Sequence, residues 1–175
     1  MTRVRHSDYM EWAKTRSQSR FNLATSGVLD FPLGALPVQL SDLELSGPSY
    51  YGWPPLQERL AARLQVDPNC VVAATGTSMA NYLALDALLE PGDEVLIEHP
   101  TYDLLVAAAR HVGAAVVRFP RRAEEEFRLD PLAVERALTP RTRLVVVTNL
   151  HNRIYGVRGE QIEQVWDVAA RGLVW

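Results

Sequence analysis

The sequence predicts an α/β fold, with a mostly parallel sheet and helices on both of its faces. Apolar runs of strand length alternate with segments of helical periodicity, and turns rich in glycine and proline separate them. The chain has 175 residues, of which 47% are hydrophobic and 22% charged, ordinary values for a globular protein of about one domain. Sheets of this class bind ligands beyond the carboxyl ends of their strands, so the loops there are the candidates for function.

Composition excludes several classes of function. The net charge of −3 favours neither nucleic-acid binding nor a basic membrane-surface protein. Cys70 is the only cysteine, and the four histidines show no metal-ligand spacing, so we expect no disulfide and no metal. No apolar run resembles a signal peptide or a membrane span, which predicts a cytoplasmic protein. Lys14 is the only lysine, so chemistry that needs an amine has one candidate.

The first third of the chain predicts two helices joined by a loop-rich arm. Residues 7–19 form the first helix, with Ser7 or Asp8 as its N-cap. The arm, 21–49, lacks sustained periodicity and holds one short strand near Phe21–Ala24. A domain boundary follows, giving 1–49 as the helix and arm and 50–175 as the larger domain. Prolines after Trp53 open the second helix, and its predicted buried side is formed by Leu56, Leu60, Ala61 and Leu64.

Residues 71–81 are the stretch around which the rest is organised. Val71–Ala74 predicts a short buried strand, and a helix rich in apolar residues runs from the following turn to about Glu90. Gly76 permits a tight turn, and Thr77 and Ser78 place hydroxyls beside unpaired backbone N–H groups. Such a helix N-terminus attracts an anion, particularly phosphate. The alternative, favoured by this feature alone, is that Thr77 or Ser78 only caps the helix.

The remaining elements alternate as the fold class requires. The pattern predicts strands at 94–98, 114–119 and 143–148, helices after residue 102, from Asp130-Pro131 and around 162–169, and a charged loop at 121–128 that we interpret as solvated surface. Three loops then meet at the carboxyl edge of the sheet: 75–78, 99–102 and 149–156.

Those loops carry a resemblance to a known family. In order they are Gly76-Thr77-Ser78, His99-Pro100-Thr101-Tyr102 and Thr148-Asn149-Leu150-His151-Asn152. Together with Leu88–Ile97 they resemble the large domain of fold-type I pyridoxal-phosphate enzymes, the class I/II aminotransferases. The likeness runs from about Tyr50 to Arg171, so 50–175 is predicted to be a partial cofactor-binding domain.

The resemblance implies a role for five residues. Gly76, Thr77 and Ser78 would hold the phosphate of pyridoxal phosphate, and Tyr102 would stack on its ring, where the alternative is packing on the core. Asn152 would bind the ring hydroxyl and the substrate carboxylate; alone it would be an ordinary turn asparagine. The family further implies an amino acid and a 2-oxo acid as substrates, and a homodimer.

The sequence also departs from the family. Arg153 replaces the usual proline after the asparagine, and either Tyr50 or Tyr51 could be the tyrosine that reaches a partner's phosphate. The family's aspartate, Schiff-base lysine and substrate-binding arginine are missing, since 172–175 fall within the strand expected before them. Nothing marks Lys14 as a replacement for that lysine. We therefore expect a fragment, a truncated gene product or one piece of a larger assembly, inactive by itself.

Three hypotheses follow. The first is the N-terminal half of a pyridoxal-phosphate-dependent aminotransferase. The second is an inactive remnant that binds a phosphate-bearing ligand or a homologous subunit. The third, a nucleotide-binding α/β module, is weakened because no Gly-x-Gly-x-x-Gly or Gly-Lys-[Ser/Thr] loop follows the first strand.

Overall fold

The computed structural model describes residues 7–16, 20, 31–44, 46–47, 52–148 and 165. The chain divides into two compact units, Met1–Thr75 and Gly76–Trp175. Predictions that fall elsewhere, such as the strand near Phe21–Ala24 and most of the last helix, lie outside the described residues. Within them, no helix is long and apolar enough to cross a bilayer.

The described part of the first unit contains two α-helices. Helix α1 spans Asp8–Thr15, and the Ser7 hydroxyl caps it by accepting the Met10 N–H at 3.3 Å. Helix α2 spans Pro54–Leu64 and begins with two prolines, as predicted. Three short 3₁₀ turns accompany these helices, at Leu33–Ala35, Leu40–Asp42 and Pro68–Cys70.

The predicted buried side of α2 is wrong for three of its four residues. Ala61 is buried, whereas Leu56, Leu60 and Leu64 are 47%, 38% and 63% exposed. Within the described part of the unit, α2 packs mainly against the 68–70 turn. The Gln57 amide donates to the Val71 carbonyl at 2.6 Å beside that turn. Of the four residues predicted to be buried, the structure therefore buries Ala61 and leaves the three leucines exposed.

The strand predicted at Val71–Ala74 is also absent. Among the described residues, sheet pairing involves other segments, and Val72 is 64% exposed. A strand exists only where a neighbour pairs with its backbone, and the apolar character of this run does not supply one. The helix that follows is shorter than predicted: α3 spans Thr77–Leu88.

In the described part of the second unit, three parallel strands form a sheet. β1 is Glu94–His99, β2 is Ala115–Pro120 and β3 is Thr142–Val146. Their order is β2-β1-β3, and both pairings are parallel. The central strand β1 is buried from Glu94 to Glu98. The strands predicted at 94–98, 114–119 and 143–148 are thus confirmed within one or two residues.

Helices cover both faces of this sheet, as predicted. Val95 and Ile97 of β1 face one cluster, with α3 and α4 (Asp103–His111). Leu96 faces the other cluster, with Phe119 and α5 (Pro131–Ala137). Alternate residues of one strand therefore anchor two separate cores, which is the arrangement of a doubly covered parallel sheet.

Helix α3 is only partly buried, although its sequence is rich in apolar residues. Leu85 is its single buried residue, while Met79, Leu83 and Leu88 are 46%, 42% and 62% exposed. Leu85 and the following Leu89 pack on β1, and the short turn at 90–93 joins the helix to that strand. Helix and strand therefore run in opposite directions, so α3 begins at the carboxyl edge of the sheet.

At the opposite, amino edge, β1 begins with a buried carboxylate. Glu94 is 2% exposed. Its Oε1 accepts hydrogen bonds from the hydroxyls of Thr142 at 2.7 Å and Thr139 at 2.8 Å. The Thr142 hydrogen bond, assisted by the Thr139 hydroxyl and the Arg141 charge, lowers the pKa of Glu94 although burial opposes the shift. This carboxylate ties the turn before β3 to the start of β1.

Candidate functional site

The start of α3 is an open helix N-terminus. Gly76 is the N-cap, with φ +81° and ψ 163°, a conformation that essentially only glycine adopts. No side-chain hydrogen bond caps the helix in the described structure, and Thr77 and Ser78, its first two residues, are exposed. Neither hydroxyl therefore caps α3, which was the alternative role for Thr77 and Ser78.

The geometry of this turn suits an anion. The first N–H groups of a helix have no intrahelical acceptor, and the helix dipole adds positive potential there. Apart from its two chain neighbours, no described residue has an atom within 4 Å of where a Cβ on Gly76 would lie, so this side of the turn is open among the described residues. Backbone donors, two hydroxyls and open space together match the requirements of a phosphate group.

The end of β1 forms the second part of the site. The His99–Pro100 peptide is cis, and Tyr102, which is partly buried, is the N-cap of α4. The Thr101 Oγ1 is buried and has no hydrogen-bond partner in the described structure. A buried hydroxyl without a partner costs about 1–3 kcal/mol. The segment therefore offers one polar atom that a ligand could satisfy.

Helices α3 and α4 bring these two segments to one edge of the sheet. They pack against each other and on the same face of β1. Since α4 begins directly after β1 ends, Tyr102 lies at the carboxyl edge, where α3 also begins. Asn152 lies outside the described residues, as do Tyr50 and Tyr51.

The sequence interpretation missed a buried ion pair at this edge. Arg121 was predicted to lie on a solvated loop, but it is 4% exposed, beside Glu98 at 0%. Its Nη1 lies 2.9 Å from Glu98 Oε2. The available signal was Glu98 itself, since a carboxylate in an otherwise apolar strand needs a partner when it is buried. The neighbouring Arg122 is exposed, as predicted.

A second arginine fixes the end of β1. Arg118 donates from Nε to the Ile97 carbonyl at 3.2 Å and from Nη2 to the Glu98 carbonyl at 2.6 Å. Burial is the main cause of a lowered pKa for Arg118, and the charge of Arg110 adds to it. The Ile97 and Glu98 carbonyls, near the end of β1, therefore both accept hydrogen bonds from one side chain just before the cis peptide.

The described residues hold no group of three or more His, Cys, Asp or Glu side chains placed to bind a metal ion. Lys14 is exposed in α1 and belongs to the first unit.

A doubly covered parallel sheet with an open helix N-terminus at its carboxyl edge defines an α/β protein suited to a phosphate-bearing ligand. Residues 40–166 match the family described as aminotransferase class I and II, and the chain belongs to that family. The family implies pyridoxal phosphate as cofactor, in agreement with the resemblance seen in the sequence.

Relatives support this assignment. The chain is 34% identical over 155 residues to the arginine–pyruvate transaminase of Pseudomonas aeruginosa and 38% identical over 154 residues to the capreomycidine synthase of Streptomyces vinaceus. These matches cover 82% and 81% of this chain, and 39% of each relative. The structure of a mutant aspartate aminotransferase of Thermus thermophilus superimposes with a TM-score of 0.66 at 31% identity, over 71% of this chain and 36% of that one. The chain thus spans well under half the length of these relatives.

Proposed function

We propose that this chain is the phosphate-binding part of a pyridoxal-phosphate-dependent aminotransferase, which transfers an amino group between an amino acid and a 2-oxo acid. The observation that carries the proposal is the open N-terminus of α3 at Gly76–Ser78, in a chain whose family uses this cofactor. The named relatives act on different compounds, so the proposal extends to the class of substrate alone.

Each proposed contact has a support in the structure or the sequence. Gly76, Thr77 and Ser78 would bind the phosphate through main-chain N–H groups and hydroxyls. Tyr102, at the same edge, would pack its ring on the cofactor. Asn152 would bind the ring hydroxyl and the substrate carboxylate, an assignment that rests on the motif alone. When bound, pyridoxal phosphate supplies the electron sink for chemistry at the amino acid.

A second candidate is reversible binding without catalysis, and the exposure of Lys14 favours it. A reactive lysine is normally buried or close to another cation, because both lower its pKa. Lys14 is exposed on a helix that buries none of its residues. Borohydride reduction of the cofactor-loaded chain, followed by mass spectrometry, separates the candidates. A reduced adduct on Lys14 favours catalysis by these residues themselves, and binding without an adduct favours reversible binding. A homodimer and a cytoplasmic location are part of the enzyme proposal.

Thr77→Ala tests the phosphate site. Because the Thr77 hydroxyl does not cap α3, its loss is expected to leave the unfolding midpoint nearly unchanged and to weaken pyridoxal-phosphate binding about tenfold, the effect of about 1.4 kcal/mol. The measurement is a titration followed by cofactor absorbance.

Ser7→Ala is the matched control. Ser7 does cap its helix, so its loss is expected to destabilise α1 by about 1 kcal/mol without changing cofactor affinity. An equal dissociation constant for wild type and Thr77→Ala would contradict the phosphate assignment. Nucleotide binding that pyridoxal phosphate fails to compete would support the nucleotide-binding alternative.

A further inference from the structure

Three segments of the carboxyl edge meet at one buried ion pair. Glu98 Oε2 accepts from Arg121 Nη1 at 2.9 Å, while its Oε1 accepts the Thr148 N–H at 3.1 Å. Arg121 also donates from Nε to the Phe127 carbonyl at 2.6 Å and from Nη1 to the Thr148 carbonyl at 3.4 Å. The end of β1, the turn after β2 and the exit of β3 are therefore joined by two side chains.

Stability alone gives a weak reason for such a pair. Both side chains are removed from water, and an apolar pair of similar volume is often equally stable or more so. What an apolar pair could not do is hold main-chain groups. Here every further contact named for the pair goes to backbone, and both the N–H and the carbonyl of Thr148 are engaged. The pair thus fixes the orientation of one peptide segment.

We propose that Glu98 and Arg121 are positioning residues for cofactor binding, because they set the direction in which the chain leaves β3. The inference rests on the proposed function, which places Asn152 on the cofactor. Thr148 is four residues before Asn152. Only three residues separate Thr148 from Asn152 in the sequence, and a displacement of about 1 Å is enough to impair a site strongly.

Glu98→Gln is the test variant, and Glu94→Gln is its control. Both residues lie on the same face of β1, both are buried carboxylates, and both accept two or more hydrogen bonds. They differ in the edge of the sheet that they occupy. Each substitution removes one charge at constant shape, so the two variants share the general effects of a disturbed core.

Three readouts on the full chain distinguish positioning from stability. Glu98→Gln is expected to raise the dissociation constant of pyridoxal phosphate about tenfold, the lower end of what loss of a supporting contact does at metal sites. It should shift the absorbance maximum of the bound cofactor, whose ring hydroxyl Asn152 would contact. It should also speed amide hydrogen exchange at Thr148, whose N–H donates to Glu98. Glu94→Gln should lower the unfolding midpoint and leave all three unchanged.

Arg121→Lys gives a second variant in which Glu98 keeps a cationic partner. Lysine lacks the planar fork that reaches the Phe127 and Thr148 carbonyls together with Glu98, so the change in dissociation constant should have the same direction as in Glu98→Gln. Should Glu98→Gln fail to fold, Arg121→Lys carries the same three measurements.

The outcomes separate the two proposals. If wild type binds the cofactor and Glu98→Gln matches Glu94→Gln in affinity, absorbance and exchange, the positioning role is wrong and the proposed function stands. If wild type does not bind pyridoxal phosphate, the proposed function is wrong, and so is the role of Glu98 and Arg121 in cofactor binding. Faster exchange of the Thr148 amide, specific to Glu98→Gln, would in that case still show that the pair holds this part of the main chain.

Discussion

Strand β1 carries a buried glutamate at each end, and the two are stabilised differently. Glu94, at the amino edge, is held mainly by the hydroxyls of Thr139 and Thr142, with the exposed Arg141 as a distant third partner at 3.5 Å. Glu98, at the carboxyl edge, is held by a buried guanidinium and a backbone N–H. One carboxylate fixes the turn into β3, and the other fixes the exit from it. Neutral hydroxyls make the shortest contacts to the first carboxylate, whereas a buried cation makes the shortest contact to the second.

The largest expected difference between the two ends comes from removing each arginine. Arg121→Met leaves Glu98 buried without its cation, and we expect a loss of about 3–5 kcal/mol in the free energy of unfolding. Arg141→Met removes a side chain that is 75% exposed, so about 1 kcal/mol or less is expected. Urea denaturation of both variants measures the contrast. Equal losses would mean that Arg121 stabilises the protein through Glu98 no more than Arg141 does through Glu94.

Thr142→Val tests the amino end with a smaller expected effect. The Thr142 hydroxyl donates to Glu94 and accepts the Thr139 N–H at 2.9 Å, so the isosteric valine leaves two groups short of a partner. We expect a loss of about 2 kcal/mol, in the range for hydrogen bonds to charged groups. Thr148→Val is the control, because Glu98 and Arg121 bind Thr148 through its main chain. For Thr148→Val we expect a change within about 0.5 kcal/mol in the free energy of unfolding. A loss as large as that of Thr142→Val would contradict the conclusion that Thr148 is held through its main chain.

The comparison also shows which parts of this protein could be predicted from its sequence. Helix starts were predictable where a local signal exists, as at Ser7 and Asp130, because a cap is made by neighbours in sequence. The strands of the sheet were predictable because their apolar runs are short and bounded by turns. Both kinds of element depend on residues within a few positions of each other.

Long-range partners were not predictable in the same way. Arg121 lies 23 residues from Glu98, and nothing in its neighbourhood distinguishes it from the exposed Arg122. The strand at Val71–Ala74 was mispredicted for the same reason, since an apolar run does not show whether a second strand pairs with it. The site residues Gly76, Thr77, Ser78 and Tyr102 could be placed at one edge because topology alone brings them there. Asn152 stays a prediction from the motif.

The smallest expected effect is a difference in pH dependence at the amino end. The pKa of Glu94 is lowered in the folded protein, chiefly by the Thr142 hydrogen bond. Between the folded and unfolded pKa values the unfolded chain binds more protons, so stability falls as the pH falls through that window. The contribution of Glu94 is fully present above the usual glutamate range and is lost once the pH is below the lowered value.

Glu94→Gln isolates this contribution, because glutamine does not titrate and keeps an oxygen that can accept from both hydroxyls. Urea unfolding of wild type and Glu94→Gln from pH 7 down to pH 3 is expected to give free-energy curves that converge at low pH. The other carboxylates contribute equally to both curves and cancel in the difference. Parallel curves would mean that the hydroxyls of Thr139 and Thr142 do not favour the charged form. The distinction between the two ends of β1 would then rest on Arg121 alone.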